Sequence, residues 1–182
     1  MFIKRTELIF LVIFVILVSG SMVLEAQSKK QKIIPTSEDQ EFVNKIRSDL
    51  GFNEEVILSV GPYYGLEKLN LSNGRIFSVG QDYLKTPSYL FFDDVGLVYY
   101  ILIDYNFYKK INEAERRFVI AHEMGHSQNP TLRQSIVAEK AADLLALAYV
   151  GPDVAIDFLN KYYVSQSERD QRIENIKTQA AK

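Results

Sequence analysis

The chain has no cysteine, no tryptophan and only two histidines among its 182 residues. Without cysteine, disulfide bonds, thiolate metal ligands and a cysteine nucleophile are all excluded. The formal net charge is −2, and the only concentrated basic run is Lys29-Lys30-Gln31-Lys32. The composition therefore predicts no nucleic-acid partner. With 47% hydrophobic residues, the chain can bury the core of one domain.

Both histidines lie in a single motif, His122-Glu123-Met124-Gly125-His126. Residues four apart share one face of a helix, so the two imidazoles can bind one metal ion. Glu123 projects from nearly the same face and can accept a proton from water, which is the arrangement of zinc metallopeptidases. Asn112 and Glu115 predict a capping box at the start of this helix, and Asn129-Pro130 predicts its end.

A third metal ligand must be a carboxylate or a rarer donor, because no other histidine and no cysteine exists. The next predicted helix is apolar on almost every side and carries Glu139 and Asp143 four residues apart. Two buried carboxylates at this spacing repel each other unless something binds them. A metal ligated by Glu139, with Asp143 accepting a hydrogen bond from a ligating histidine, removes that cost. The alternative is an exposed charged stripe on the helix.

The two motifs together resemble the gluzincin metallopeptidases, and the likeness extends towards the family that includes HtpX and the CAAX prenyl endopeptidases. Residues 112–121 are similar to the family's lead-in to its motif, and 138–143 are similar to its Glu-x-x-Ala-Asp. Residues 72–79 and 165–173 match a family strand and a late motif more loosely. The resemblance implies a zincin-like fold, bound Zn²⁺, and a peptide or protein substrate held along a strand beside the active-site helix.

The late motif departs from the family at two positions. Gln166 stands where the family has histidine, and Ser167 stands where it has proline. Arg172 carries over, and the resemblance implies that it lies near the active site. Arg172, Tyr162 and Tyr163 are the candidates for stabilising an oxyanion during catalysis.

The expected function is therefore that of a zinc metalloendopeptidase. His122, His126 and Glu139 would bind Zn²⁺, and Glu123 would act as general base. Two other functions remain open. The Gln166 departure allows a zinc-binding interaction protein without protease activity. Two histidines and a carboxylate also form the facial triad of iron oxygenases, although that site needs no glutamate beside a ligand.

The first 26 residues predict a signal peptide or a membrane anchor. Lys4 and Arg5 precede an apolar run from Leu8 to Val18, and small residues at 19 and 21 suit a cleavage site. We therefore expect a protein exported to the periplasm or the cell exterior, or alternatively one anchored to the membrane by residues 8–24. Residues 27–36 predict a linker, and 37–182 are the expected zinc metallopeptidase domain.

The order of predicted elements is a helix, then strands, then helices, which favours a single α+β domain with a small, antiparallel-rich sheet. A first helix begins at Ser37, and a strand covers 56–60. Asn73-Gly74 predicts a hairpin turn, and residues 89–92 and 97–104 predict a second hairpin. The active-site helix, the ligand helix and the C-terminal helices follow.

Two details complete these expectations. Thr131 with Gln134 is the predicted cap of the ligand helix, which should end at Gly151-Pro152. Four tyrosines are expected to lie half-buried on the sheet, with a place in the cleft as the alternative; they are Tyr99, Tyr100, Tyr105 and Tyr108.

Overall fold

The computed structural model of the protein describes residues 35–64, 68–70, 76–78, 86–128 and 135–182, all within the unit Ile33–Lys182. These residues form six helices and five strands. The helices are α1 (Ser37–Asp49), α2 (Tyr105–Lys110), α3 (Glu113–His126), α4 (Ile136–Val150), α5 (Pro152–Tyr162) and α6 (Gln166–Ala180). The strands are β1 (Glu55–Gly61), β2 (Lys68–Asn70), β3 (Ile76–Ser78), β4 (Ser88–Asp93) and β5 (Val98–Asp104). The predicted α+β fold is confirmed.

Three strands form one mixed sheet in the order β1-β5-β4. β4 and β5 form the predicted antiparallel hairpin, in which Ser88 lies opposite Ile103. β1 runs parallel to β5, with Gly61 opposite Asp104. β2 and β3 pair antiparallel, so antiparallel pairings are the majority among the described strands. The predicted turn at Asn73-Gly74 lies outside the described residues.

Alternation along β5 sends its side chains into two apolar clusters, because successive residues of a strand point to opposite faces. Ile101 and Ile103 pack in the larger cluster with α1, β1 and the buried face of α3. Tyr100 and Leu102 pack with Tyr89 of β4 in a smaller cluster. The sheet therefore packs against the helix that carries the histidines, and β4 runs beside that helix.

The helix boundaries follow the sequence closely, with one correction. α1 begins at Ser37 as predicted, and the capping box of Asn112 and Glu115 is present at the start of α3. The cap of α4 is Ser135, whose side chain accepts the Ala138 N–H at 3.1 Å, so the predicted Thr131 cap is wrong. Ser135 lies directly before the first helical residue, where a side-chain oxygen can reach the free N–H groups.

α4 ends at Gly151 as predicted, because Gly151 has φ of 80° and Pro152 opens the next helix. A positive φ is easily adopted by glycine, and proline has no N–H to continue α4 but suits the first turn of α5. This sharp junction turns the chain from the ligand helix directly into α5.

A buried ion pair fixes α1 to the active-site helix. The Asp39 carboxylate is 1% exposed. It accepts hydrogen bonds from Arg116 Nε of α3 at 2.8 Å and from the Tyr108 hydroxyl of α2 at 2.5 Å. Three helices are thereby joined at the carboxylate of Asp39, which is distant in sequence from the histidine motif.

In the described part of the chain, no helix has the length and apolar character needed to cross a membrane. The predicted signal peptide or anchor, residues 1–26, lies outside the described residues, as does most of the predicted linker and the predicted helix stop at Asn129-Pro130. The domain boundaries and the membrane association stay predictions.

Candidate active site

The two helices that carry the candidate metal ligands approach each other at Gly125. A β-carbon on Gly125 would lie 2.6 Å from the Cα of Ala142 and 3.1 Å from its carbonyl oxygen. No residue other than glycine fits here without moving α4, because the obstructing atoms belong to the backbone. The fourth residue of the histidine motif is thus part of the α3–α4 contact.

This contact brings together His122 and His126 of α3 and Glu139 of α4. The two Nε2 atoms lie 3.2 Å apart. Glu139 Oε2 lies 3.4 Å from His122 Nε2, and Glu139 Oε1 lies 3.5 Å from His126 Nε2. One ligand atom from each residue falls within 4.8 Å of the others. Two imidazole nitrogens and one carboxylate oxygen form a donor set that suits Zn²⁺ and leaves a coordination position open.

Asp143 lies behind the cluster, where the sequence analysis placed it. It is fully buried, and His122 Nδ1 lies 3.0 Å from its Oδ1. Donation of the Nδ1 proton to Asp143 leaves the lone pair on Nε2, the nitrogen that faces Glu139 and His126. In the neutral form of His122, this contact favours the tautomer that leaves Nε2 free to bind a metal.

Arg172 of α6 joins the two carboxylates of α4. Its Nε and Nη2 donate to Asp143 at 2.7 and 2.6 Å, and its Nη1 donates to Glu139 Oε2 at 2.8 Å. Arg172 is 2% exposed, and its guanidinium stacks on the Tyr163 ring, 4.5 Å from the centroid. All three nitrogens thus bond to carboxylates, which favours a positioning role for Arg172 over the predicted contact with an oxyanion.

These charges act strongly on one another. Burial by itself lowers the pKa of His122, but the hydrogen bonds to Asp143 and Glu139 outweigh it and raise that pKa to about 9. Burial raises the pKa of Glu139, whereas His122 and Arg172 lower it to about 2. Since a metal binds the neutral imidazole, a metal ion and a proton compete for His122.

Glu123 is 5% exposed and lies beside the cluster. Its Oε1 accepts a hydrogen bond from the Ser88 hydroxyl of β4 at 2.7 Å. The sequence analysis missed Ser88, because no motif or local periodicity connects residue 88 to residue 123. The contact depends on the packing of the sheet against α3.

The three candidate metal ligands line one cleft of about 670 Å³, together with Glu123, Ser88 and Arg172. One wall is β4, which contributes Ser88, Tyr89 and Leu90 and is the strand that lines the cleft in the described part of the chain. Another part of the lining, here called the aromatic wall, consists of Phe107, Phe118, Phe158 and Tyr162. Phe118 stacks on His122 with ring centroids 5.9 Å apart. The apolar wall therefore adjoins the candidate metal ligands.

The prediction of four half-buried tyrosines on the sheet is confirmed only in part. Tyr99 and Tyr100 lie on β5, where Tyr99 is half-buried and Tyr100 is buried. Tyr105 and Tyr108 lie instead on helix α2, and none of the four is among the cleft residues. Tyr162 and Tyr163 do line the cleft. Gln166, the departure from the family motif, is exposed at the first residue of α6.

Two histidines from one helix, a glutamate from the next and a glutamate between the histidines have the arrangement found in gluzincin metal sites, within an α+β fold. The model of Peptidase family M48 matches residues 94–176, so this segment is similar to M48 peptidases. The match contains every site residue predicted from the sequence and confirms the resemblance to gluzincin metallopeptidases. It supports a metallopeptidase. No curated protein and no solved structure matches the chain.

Proposed function

We propose that this protein is a zinc-dependent metalloendopeptidase. The observation that carries the proposal is the convergence of His122, His126 and Glu139 beside Glu123 in one cleft. The M48 match supports peptidase activity in general. The proposal goes beyond this match in two respects: the metal is zinc, and the target is an internal peptide bond.

His122, His126 and Glu139 would hold the ion. A zinc ion bound there supplies a Lewis acid that polarises the scissile carbonyl and lowers the pKa of a water molecule. Glu123 takes one proton from that water as its oxygen bonds to the carbonyl carbon. Glu123 then passes this proton to the amide nitrogen as the C–N bond breaks, which gives an amine and a carboxylic acid that ionises.

The remaining site residues prepare this chemistry. Asp143 fixes the tautomer of His122, and Arg172 balances the charges of Asp143 and Glu139. Tyr162 and Tyr163 stay the candidates for hydrogen bonding to the oxyanion, since both line the cleft. We propose export or membrane anchoring through residues 8–24 from the sequence alone.

The substrate is a peptide or protein that presents a large apolar side chain next to the scissile bond. The aromatic wall supports this part of the proposal, because the rings of Phe107, Phe158 and Tyr162 have centroids 4.9 to 6.3 Å apart and line the same cleft as His122. Binding of an apolar substrate side chain against this wall is favourable, because it removes apolar surface of both from water. The substrate backbone would run along β4, the described strand that borders the cleft.

The test is cleavage of a peptide library by the full-length protein, with zinc and with a chelator, beside the Glu123→Gln variant. We expect chelator-sensitive cleavage at internal bonds. Glu123→Gln should keep its zinc and lose on the order of 10²-fold or more in kcat, because the general base is removed. Cleavage that resists the chelator, or that survives in Glu123→Gln, would contradict the mechanism.

Peptide cleavage together with metal analysis of the purified protein distinguishes the peptidase from the other two functions. A zinc-binding interaction protein would hold one zinc and cleave no peptide, an outcome that the Gln166 departure keeps open. An iron oxygenase would be recovered with iron in place of zinc, which metal analysis of the purified protein detects. Glu123 is the feature that favours the peptidase over both, because neither alternative needs a base there.

A further inference from the structure

We propose that Ser88 is a positioning residue that fixes the carboxylate of Glu123 for its work as general base. This inference rests on the proposed function and adds to it a residue of the sheet. Ser88 precedes the segment that matches the M48 family, residues 94–176. The contact depends on the packing of β4 against α3.

The two carboxylate oxygens of Glu123 have different surroundings. The Ser88 hydroxyl donates to Oε1 at 2.7 Å. Among the described residues, no hydrogen-bond donor contacts Oε2. Glu123 itself lines the cleft. One oxygen is thus held by Ser88, and in this proposal the other accepts the proton from water.

The sheet holds Ser88 rigidly in place. Ser88 pairs with Ile103 across the β4–β5 ladder. The Asp104 N–H closes the end of that ladder on the Pro87 carbonyl oxygen at 2.7 Å. The Asp104 carboxylate in turn accepts the Asn106 N–H at 2.9 Å, which caps α2. A side chain mounted on such a braced strand end orients its partner better than one on a loop.

Glu123 needs this partner for two physical reasons. A glutamate side chain has three rotatable bonds, and a general base acts only within hydrogen-bond distance of the proton it removes. A buried carboxylate also requires a donor, because its charge loses the hydration of bulk water. Without the Ser88 hydroxyl, Glu123 would spend less time in the productive rotamer.

The first part of the test measures catalysis in Ser88→Ala and Ser88→Thr. We expect Ser88→Ala to lower kcat on the order of ten-fold, with KM and zinc content unchanged, since a hydrogen bond to a charged group is lost. Ser88→Thr keeps the hydroxyl and should restore kcat. Ser59→Ala is the matched control, because it removes a strand serine that hydrogen-bonds Tyr63 and lies outside the cleft residues.

The second part needs no turnover and measures binding of acetohydroxamate to the zinc-loaded full-length protein by calorimetry. A hydroxamic acid gives its proton to a neighbouring base when it binds a metal, so its affinity reports the placement of Glu123. We expect its Kd to rise on the order of ten-fold in Ser88→Ala and to stay at the wild-type value in Ser88→Thr and Ser59→Ala.

The two parts distinguish the failure of this inference from the failure of the proposed function. Wild-type kcat and Kd in Ser88→Ala would overturn the role of Ser88 and leave the peptidase intact. Loss of zinc together with activity would overturn it in favour of a structural role. If the wild type cleaves no peptide while Ser88→Ala still weakens acetohydroxamate binding, the peptidase proposal fails and the positioning role stands.

Discussion

Arg172 and Asp143 form a two-point ion pair in which Nε–Oδ2 and Nη2–Oδ1 are 2.7 and 2.6 Å apart, and neither side chain is more than 3% exposed. The same guanidinium reaches Glu139. One cation of the C-terminal helix therefore compensates two carboxylates of the ligand helix.

Replacing Arg172 with glutamine should remove the guanidinium that both carboxylates share and leave His122 as their nearest basic partner. We expect a loss of about 3–5 kcal/mol in the free energy of unfolding, as is typical when one partner of a buried ion pair is removed. Zinc affinity should fall about 10- to 100-fold, since Asp143 orients a ligand histidine. Chemical denaturation and metal titration measure the two effects. Unchanged zinc affinity in a folded Arg172→Gln protein would show that Arg172 has no role in metal binding.

Gly125→Ala should force α3 and α4 apart. Overpacking of this kind costs about 1–3 kcal/mol or more, and zinc affinity should fall with it because the ligands come from both helices. Adding Ala142→Gly should not rescue the variant, since the closest atom is the Ala142 Cα rather than its side chain. Thermal unfolding and metal titration of the single and double variants test this. Full rescue by the double substitution would show that the backbone contact is unimportant.

Phe158→Ala should change the preference of the enzyme for the residue beside the scissile bond. Phe158 packs on Phe118 with ring centroids 4.6 Å apart and lines the cleft. We expect kcat/KM for peptides with a large apolar residue there to fall on the order of ten-fold relative to peptides with alanine. Phe42→Ala, which alters an aromatic contact outside the cleft, is the control. An equal loss for both kinds of peptide would contradict an aromatic subsite.

Glu115 should make the fold sensitive to acid. Burial by itself raises the pKa of Glu115, but hydrogen bonds from Lys161 and from the Asn112 N–H hold it below its usual value. A carboxyl group with a lowered folded-state pKa stabilises the protein above its unfolded pKa, near 4.5, and the stabilisation is lost as pH falls through the folded value.

Glu115→Gln retains a capping-box residue but cannot ionise. The wild type should therefore be more stable than Glu115→Gln near neutral pH, and the difference should shrink below about pH 4.5. Urea denaturation at a series of pH values gives the comparison. A difference that stays constant down to pH 3 would mean that the charge of Glu115 contributes nothing.

The part of the site that could be predicted consists of residues whose spacing places them on one face of a helix. His122 and His126, and likewise Glu139 and Asp143, are four residues apart, so each pair shares a face whatever the rest of the chain does. The capping box at Asn112 is local in the same way. The absence of other histidines and of cysteine then pointed to a carboxylate as the third ligand.

The contacts that escaped prediction join residues distant in sequence. Ser88 meets Glu123 only because β4 runs beside α3, and the parallel pairing of β1 with β5 follows no local pattern. Arg172 was placed near the site by resemblance, but its three carboxylate contacts depend on how α6 docks. The cap of α4 was misassigned because Thr131 and Ser135 carry the same chemistry, and the sequence does not fix which of them begins the helix.

The contribution of α6 also sets the order in which the site matures. During synthesis, the histidine motif and the ligand helix leave the ribosome before Arg172 does. Until α6 has docked, Glu139 and Asp143 lack the guanidinium that they share in the folded protein. The complete arrangement of the candidate site therefore requires the C-terminal helix, so a chain that ended before α6 would lack it.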